Sequence, residues 1–139
     1  MKRSTLLIIL FSLFSSPVFA EQSDREQVNQ AIQCFFDWDK TGNPDTGKKC
    51  VYEGIIFQYV NKKGGIGKFT PKLLNDGDQG VVHRLLDLDI YNDLAVVTAL
   101  TQHAPISDDN TYMKNITLHK TIDGWRVTNV FWGRAQFNQ

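Results

Sequence analysis

Apolar residues recur at steps of three and four from Ser23 or Asp24 to about Lys40, a spacing that predicts an amphipathic helix. Asp24 and Gln27 resemble a capping box in which Asp replaces the usual Ser or Thr. A Thr-Gly-Asn-Pro sequence ends the helix, and a short second helix is predicted over Asp45 to Lys49, because Pro44 suits a first helical position. The apolar stripe of the first helix consists of Val28, Ala31, Ile32, Phe35 and Trp38.

After these helices the pattern becomes that of β-strands, because Val51 to Val60 is rich in β-branched and aromatic residues. Four longer runs with β-like spacing follow, and the last two are separated by Asp123-Gly124, a pair typical of a hairpin turn. Helices first and strands afterwards predict an α+β fold, with N-terminal helices packed on one face of a curved antiparallel sheet. The four longer runs are Val81 to Ile90, Leu94 to His103, Thr111 to Lys120 and Trp125 to Phe137.

The segment between the first strand and these runs is predicted to be irregular. Asn61 to Gly67 is glycine-rich and is interpreted as a turn. Phe69 to Asn75 is expected to form a short helix, with Thr70 as its cap and Pro71 at its first position.

The run Leu94 to His103 has no polar face. Alternate residues from Leu94 to Leu100 form one side, and the series from Ala95 to His103 forms the other. A strand with one solvated face should alternate more clearly between apolar and polar residues. We therefore expect both faces of the sheet to be covered, one of them by the helices or by a second subunit, and favour a homodimer.

The first twenty residues have the three parts of a secretory signal peptide in order. Lys2 and Arg3 provide the positive start, Leu6 to Phe14 the apolar stretch, and Val18 to Ala20 the small residues of a cleavage site. The apolar stretch is about half the roughly 20 residues of a membrane span, and an uncleaved anchor is the less favoured alternative. We expect residues 21–139 to be one domain, exported to the periplasm or the extracellular space, with no membrane attachment after cleavage.

Charge excludes one class of partner. The chain has 15 basic and 15 acidic residues and no cluster of Lys or Arg, so nothing indicates a nucleic acid-binding surface. Its two cysteines, Cys34 and Cys50, are most simply interpreted as a disulfide in an oxidising compartment. The alternatives are two buried thiols or a redox pair, although the Cys-x-x-Cys spacing of redox pairs is missing.

The order of elements and two stretches of sequence resemble a known family. Tyr112 to Phe131 contains a strand that ends in a basic residue, a Gly-Trp turn and a strand that ends in Phe. Phe35 to Pro44 is an aromatic helix end followed by Gly-Asn. Both are similar to the lumazine-binding family, a branch of the nuclear transport factor 2-like superfamily. The resemblance extends over nearly all of the chain after Ala20.

The resemblance implies a cone-shaped fold, related to that of cystatins, whose curved sheet surrounds a pocket for a small apolar or aromatic molecule. Some members of the superfamily are isomerases, dehydratases or polyketide cyclases. Relatives commonly have His-Pro-Asp-Ala at the start of the first strand, whereas this chain has Val51-Tyr52-Glu53-Gly54. The histidine is therefore missing, and only the acidic side chain of Glu53 remains.

An isomerase of this fold needs a carboxylate base and hydrogen-bond donors for an oxyanion. The candidates for catalysis are Glu53, Asp87, Asp89, His103, Tyr52, Tyr59 and Tyr112. The candidates for ligand contact are Phe35, Trp38, Tyr52, Ala99, His103 and Asn129, and core packing is the alternative role of the aromatic ones.

No metal or cofactor is expected. His83, His103 and His119 each lie singly on a predicted strand, without the close spacing of a zinc site. Serine-elbow and phosphate-binding glycine motifs are missing from the sequence. The sequence therefore favours an exported binding protein without catalysis. An isomerase or dehydratase is one alternative, and a subunit that binds other proteins through its outer sheet face is another.

Overall fold

The computed structural model describes residues 23–61, 63–70, 77, 80–107 and 110–135. The predicted signal peptide, Met1 to Ala20, lies outside these residues. They form, in chain order, the helices α1 (Asp24–Thr41) and α2 (Pro44–Cys50) and the strands β1 (Val51–Val60), β2 (Ile66–Phe69), β3 (Val82–Tyr91), β4 (Leu94–Gln102), β5 (Thr111–Thr121) and β6 (Gly124–Arg134). The predicted α+β architecture is confirmed.

Helix α1 begins at Asp24, and its N-cap is Ser23, one residue before the predicted cap. The Ser23 side chain accepts a hydrogen bond from the Glu26 backbone, and the Glu26 carboxylate accepts one from the Ser23 backbone, which makes a capping box. The predicted cap at Asp24 is therefore wrong. The carboxylate of Asp24 instead accepts hydrogen bonds from Lys120 and Trp125, and these contacts attach the start of α1 to the β5–β6 hairpin.

The six strands form one sheet in the order β2-β1-β6-β5-β4-β3. Strands β3 to β6 are joined in sequence and pair antiparallel, as predicted. Strand β1, however, pairs with β6 in the parallel direction, so the expectation of a purely antiparallel sheet is wrong. A hairpin must reverse direction, whereas β1 and β6 are separated in the sequence by strands β2 to β5, and nothing in that long connection requires reversal.

A second correction concerns the segment after β1. In the structure the turn ends at Gly65, before the end of the predicted turn. Ile66 to Phe69 form β2, which pairs antiparallel with β1. The Asn61 side chain accepts hydrogen bonds from the backbones of Lys63 and Gly65 and so fixes the hairpin turn. The predicted helix therefore cannot include Phe69, and Thr70 is irregular. Its other positions, residues 71–75, lie outside the described residues.

One face of the sheet, here called the inner face, packs against α1. The predicted apolar stripe of α1 is buried on it, together with inward residues of the sheet such as Ile55, Val97, Ile116 and Val130. Cys34 of α1 and the last residue of α2, Cys50, form the predicted disulfide, which fixes the two helices to one another. The opposite face, here called the outer face, has no helix over it among the described residues.

Candidate functional site

The end of the inner face nearest the C-terminal turns of α1 combines charged and aromatic side chains. The strand register places Lys114 of β5 between Ala99 of β4 and Trp132 of β6, all on the inner face. Trp132 in turn lies beside Tyr59 of β1. This row of neighbours brings a lysine into a surface that is otherwise apolar.

Three ionisable side chains meet where α1 crosses this row. The Lys114 ammonium donates a hydrogen bond to the Asp39 carboxylate at 2.8 Å, and the imidazole Nε2 of His83 lies 3.3 Å from the same oxygen. Their side chains are 9%, 17% and 5% exposed for Lys114, Asp39 and His83, respectively. We call these three residues the ion cluster.

The imidazole of His83 is held on three sides. Its Nδ1 lies 3.0 Å from the hydroxyl oxygen of Thr101, a residue that is fully buried. Its Nε2 faces Asp39 but is misaligned for a good hydrogen bond, so the contact is mainly electrostatic. The ring of Phe36 stacks on it with centroids 4.4 Å apart. Both ring nitrogens are therefore directed at protein atoms in either protonation state.

The charge state of Asp39 follows from opposing effects. Burial alone raises the pKa of a carboxyl group, because it disfavours the charged form. The interaction with the His83 imidazole, together with the charge and hydrogen bond of Lys114, outweighs that effect and holds the pKa of Asp39 well below its usual range. Asp39 is therefore ionised at neutral pH, and its charge is balanced by the Lys114 ammonium.

Aromatic side chains line the inner face next to the ion cluster. Tyr59 stacks on Trp132 with centroids 5.4 Å apart and an interplanar angle of 25°. Phe57 and Phe69 meet Trp132 edge to face, at 5.7 and 5.9 Å. Phe57 is buried in the core, whereas Phe69 is 45% exposed. We call Phe57, Tyr59, Phe69 and Trp132 the aromatic wall.

Two further candidates from the sequence lie near the same end of the sheet. Tyr112 is opposite Thr101 on the inner face, and His103, just after β4, meets the Tyr112 ring edge to face at 5.5 Å. Both are half-buried. Tyr59 belongs to the aromatic wall. The structure thus brings His103, Tyr112 and Tyr59 to the end of the sheet that holds the ion cluster.

Three candidates for ligand contact belong to the interior of the core. Phe35, Trp38 and Ala99 are all fully buried, and the two aromatic rings pack on one another with centroids 5.8 Å apart. A ligand would reach these side chains only if the core opened. Their role as ligand contacts stays a prediction.

The remaining candidates lie away from the inner face. Asp87 and Asp89 are exposed on β3, and the Asp87 carboxylate accepts a hydrogen bond from the backbone of Leu88. Asn129 is on the outer face, between Ile56 and Thr117. No contact joins any of these side chains to the ion cluster.

Tyr52 and Glu53 line an open groove of about 460 Å³ near the start of β1, which also includes Arg126. A second groove of about 380 Å³ lies on the other side of Arg126 and exposes part of the disulfide at Cys34. The first groove is formed by α2, β1 and the β5–β6 hairpin, and the second by α1, α2 and the start of β6, so neither includes the ion cluster. They are open surface features with no buried charged group in their walls.

Sequence reasoning missed the ion cluster. Asp39 and Lys114 were considered only as parts of the two family-like stretches, and His83 only as a single histidine. One signal was available, because Lys114 falls on the same strand face as Ile116 and Leu118, where an apolar residue is expected. A lysine at such a position calls for a buried partner.

The described residues contain no group of three or more His, Cys, Asp and Glu side chains that could hold a metal ion. None of their helices is both long and apolar enough to cross a membrane.

The sequence matches no protein-family model and no curated protein. Its structure is similar to a nuclear transport factor 2-like protein of unknown function from Shewanella baltica, with a TM-score of 0.66 and 9% identity over 82% of this chain and 95% of that one. A cystatin-like domain of unknown function from Nostoc punctiforme has a TM-score of 0.63 and 11% identity, over 84% of this chain and 80% of that one.

A third similar structure, from Streptomyces avermitilis, is described as a "putative dehydratase" of the same fold family. Its TM-score is 0.59 and its identity 15%, over 82% of this chain and 97% of that one. At such identities the likeness shows a fold, and the closer resemblance to lumazine-binding proteins stays a prediction. The chain has the nuclear transport factor 2-like fold, an α+β cone with two helices on a mixed six-stranded sheet.

Proposed function

We propose that this chain is an exported protein that binds a small apolar or aromatic molecule on its inner sheet face, between the ion cluster and the aromatic wall. One observation carries the proposal. A lysine and an aspartate are buried together beside partly exposed aromatic rings, at one end of a mostly apolar surface.

Stability alone does not account for a buried ion pair at this position. Removing two charges from water costs several kcal/mol per ion, and apolar residues of similar volume often give equal or greater stability. Lys114 has Ala99 and Trp132 as lateral neighbours, so a residue such as Met or Leu would suit the packing. A buried ion pair beside aromatic rings fits a role in recognition, because ligand pockets are mostly apolar with a few placed polar groups.

Export is supported by two independent features. Met1 to Ala20 have the composition of a signal peptide, and the Cys34–Cys50 disulfide is compatible with an oxidising compartment. Export predicts a mature chain that begins at Glu21. Intact-mass measurement on protein recovered from outside the cytoplasm tests this directly, and a full-length mass there would contradict cleavage.

The binding function is tested by native mass spectrometry of the mature protein, purified from its own host without denaturation. We expect a population that carries a small molecule, which is released on denaturation. Lys114→Met should lose that population, whereas Lys68→Met, an exposed lysine on β2, should keep it. Bare protein in every preparation, at a mass resolution that detects one bound metabolite, would contradict the proposal.

A second candidate function is favoured by the contact between Asp39 and His83. A carboxylate beside an imidazole is a common acid–base pair, and an isomerase or dehydratase moves a proton at carbon. The structural likeness to a protein described as a "putative dehydratase" agrees with this candidate. This candidate ranks second because Nδ1 of His83 contacts the Thr101 hydroxyl and Nε2 faces the Asp39 carboxylate, so both nitrogens are directed at protein atoms rather than at a ligand.

The catalytic candidate is tested by incubating the retained molecule with the protein in D2O. Deuterium incorporated at carbon by the wild-type protein, and lost in His83→Gln, would support catalysis. Incorporation that is equal with and without protein would contradict it. This outcome leaves the binding function unaffected.

We also propose that two copies of this chain pack through their outer faces. The central outer positions of β4 to β6 are uncharged. The charged residues of this face lie towards its margins, on β3, at Lys68 of β2 and at Arg126 near the β5–β6 turn, so the central parts of two identical faces can meet without opposing charges. Apolar side chains remain partly exposed there, among them Ile56 at 43% and Val96 at 36%. The partner proposed is a second copy of the same chain.

A further inference from the structure

Resting on the binding function proposed above, we infer that the ligand is a flat aromatic molecule that carries an uncharged carbonyl oxygen. The ring would lie against the aromatic wall, and the oxygen would accept a hydrogen bond from the Lys114 ammonium. The inference depends on which polar groups of the site remain available to a ligand and on the net charge they present.

Lys114 is the group best placed to contact a ligand. An ammonium has three donors and no acceptor, and one of these donors is directed at Asp39. Its strand position is directly beside Trp132 of the aromatic wall, on the same face of the sheet. A ligand ring in contact with Trp132 would therefore have a strong hydrogen-bond donor at its edge.

The other polar groups of the cluster face one another. His83 is placed between Asp39 and the Thr101 hydroxyl, under the ring of Phe36. Thr101 is fully buried, so a ligand cannot contact it without displacing the imidazole. The site therefore offers a ligand mainly a donor, and the matching group on the ligand is an acceptor.

Charge selects among acceptors. Asp39 is ionised and paired with Lys114, so with a neutral imidazole the cluster has no net charge. A ligand carboxylate would approach the Asp39 carboxylate at short range, and a ligand ammonium would approach Lys114, both in surroundings of low dielectric where like charges repel strongly. A carbonyl oxygen accepts from the ammonium without adding charge.

The aromatic wall selects for a flat ring. Tyr59 and Trp132 lie nearly parallel, while Phe57 and Phe69 stand perpendicular to Trp132. Because stacked and edge-to-face contacts are both favourable for aromatic rings, a planar ligand can extend this arrangement at Phe69, the most exposed member. Saturated ligands of equal size would lose this part of the interaction.

Four naphthalene probes test the inference by calorimetric titration of the mature protein. 2-Acetylnaphthalene and 2-ethylnaphthalene have nearly the same shape and differ by the carbonyl oxygen. 2-Naphthoate and 2-naphthylmethylammonium place a negative or a positive charge at the same position. We expect the acetyl compound to bind about tenfold more tightly than the ethyl compound, as expected for a hydrogen bond from a charged donor, and both charged probes to bind more weakly than the acetyl compound.

Variants connect that preference to Lys114. In Lys114→Met, the affinity for the acetyl compound should fall to about that for the ethyl compound, while the affinity for the ethyl compound should change little. Lys68→Met should leave both affinities unchanged. Because Lys114→Met leaves Asp39 unpaired, the double variant Asp39→Asn/Lys114→Met provides a second test without a buried charge. It too should bind the two neutral probes equally.

Equal binding of the two neutral probes by the wild-type protein would overturn the inference about the carbonyl group. Tightest binding of the naphthoate would overturn the neutral-acceptor argument, and failure of every probe to bind would overturn the aromatic class. None of these results decides the binding function itself, which is judged by the molecule retained from the host.

Discussion

Lys114 Nζ lies 2.8 Å from Asp39 Oδ2, although the two residues are 75 positions apart in the sequence. The pair links the last turn of α1 to the middle of the sheet. Both side chains are largely buried, so neither can regain full hydration when the other is removed. The consequences of this pair for stability differ from those of an exposed ion pair.

Lys114→Met should destabilise the fold by about 3 kcal/mol, because it leaves the Asp39 charge buried without its ammonium partner. The free energy of unfolding in urea measures the effect. Lys48→Met provides a matched control, since Lys48 pairs with Asp45 at 3.4 Å on the surface, and exposed pairs contribute about 1 kcal/mol or less. Similar losses in the two variants would show that the Lys114 pair is hydrated in solution.

The double variant Asp39→Leu/Lys114→Met should recover much of that stability, because it removes both buried charges and leaves apolar side chains in their place. His83 then lacks its carboxylate partner, so we expect recovery to be incomplete. A double variant no more stable than Lys114→Met alone would contradict the assignment of the loss to an unpaired charge.

The depressed pKa of Asp39 predicts how stability depends on pH. A carboxyl group with a lower pKa in the folded state than in the unfolded state contributes stability that is fully present above its unfolded pKa. That contribution should decline as the pH falls below the ordinary value of 3.8 towards the lower folded value. Unfolding free energies measured from pH 6 to pH 2 should therefore fall more steeply for the wild type than for Asp39→Asn.

Asp24 offers a comparison for the pH experiment. The hydrogen bond from Lys120 lowers the pKa of Asp24 as well, but this carboxylate is exposed to solvent. Salt should therefore reduce the contribution of Asp24 and have less effect on that of Asp39. If salt reduced the contributions of Asp24 and Asp39 to stability at low pH equally, the burial of the Asp39 pair would be contradicted.

The sequence predicted those features that depend on local spacing. The stripe from Val28 to Trp38 repeats with the period of a helix and is buried along its length. Strand β1 begins and ends at Val51 and Val60, as its composition indicated, since β-branched residues favour extended backbone. The disulfide was also predictable, because a chain with two cysteines allows one pairing.

Features that depend on long-range pairing could not be predicted in the same way. The spacing along β1 does not show that its neighbour is β6 or that the two are parallel. Asp39 and Lys114 meet only because α1 crosses the row that contains Ala99 and Trp132. Glycines at 64, 65 and 67 favoured a turn, yet Ile66 to Phe69 form β2, because pairing with β1 outweighs weak local β-propensity.

Loss of the disulfide should weaken the fold without changing it. Cys34 and Cys50 are 16 positions apart, and closing a loop of this size stabilises by about 3 kcal/mol in the chain-entropy model. The variant Cys34→Ser/Cys50→Ser should show this loss in urea denaturation, together with an unchanged circular dichroism spectrum. Addition of reductant should destabilise the wild type to a similar extent and leave the variant unchanged. A wild type insensitive to reductant after unfolding and refolding would indicate that the bridge contributes little.

The outer-face dimer predicts a response to a single charge. Val96 lies at the outer side of β4, is 36% exposed, and is opposite Asp89 and Thr117 in the sheet. Val96→Glu should convert the dimer to a monomer in multi-angle light scattering, because each copy would bury a carboxylate in the proposed outer-face contact. Glu has low β-propensity, so Val96→Thr provides the matched control, which keeps a β-branched shape and should remain dimeric. A wild-type protein that is monomeric at high micromolar concentration would contradict the dimer, whereas a dimer insensitive to Val96→Glu would place the contact on another surface.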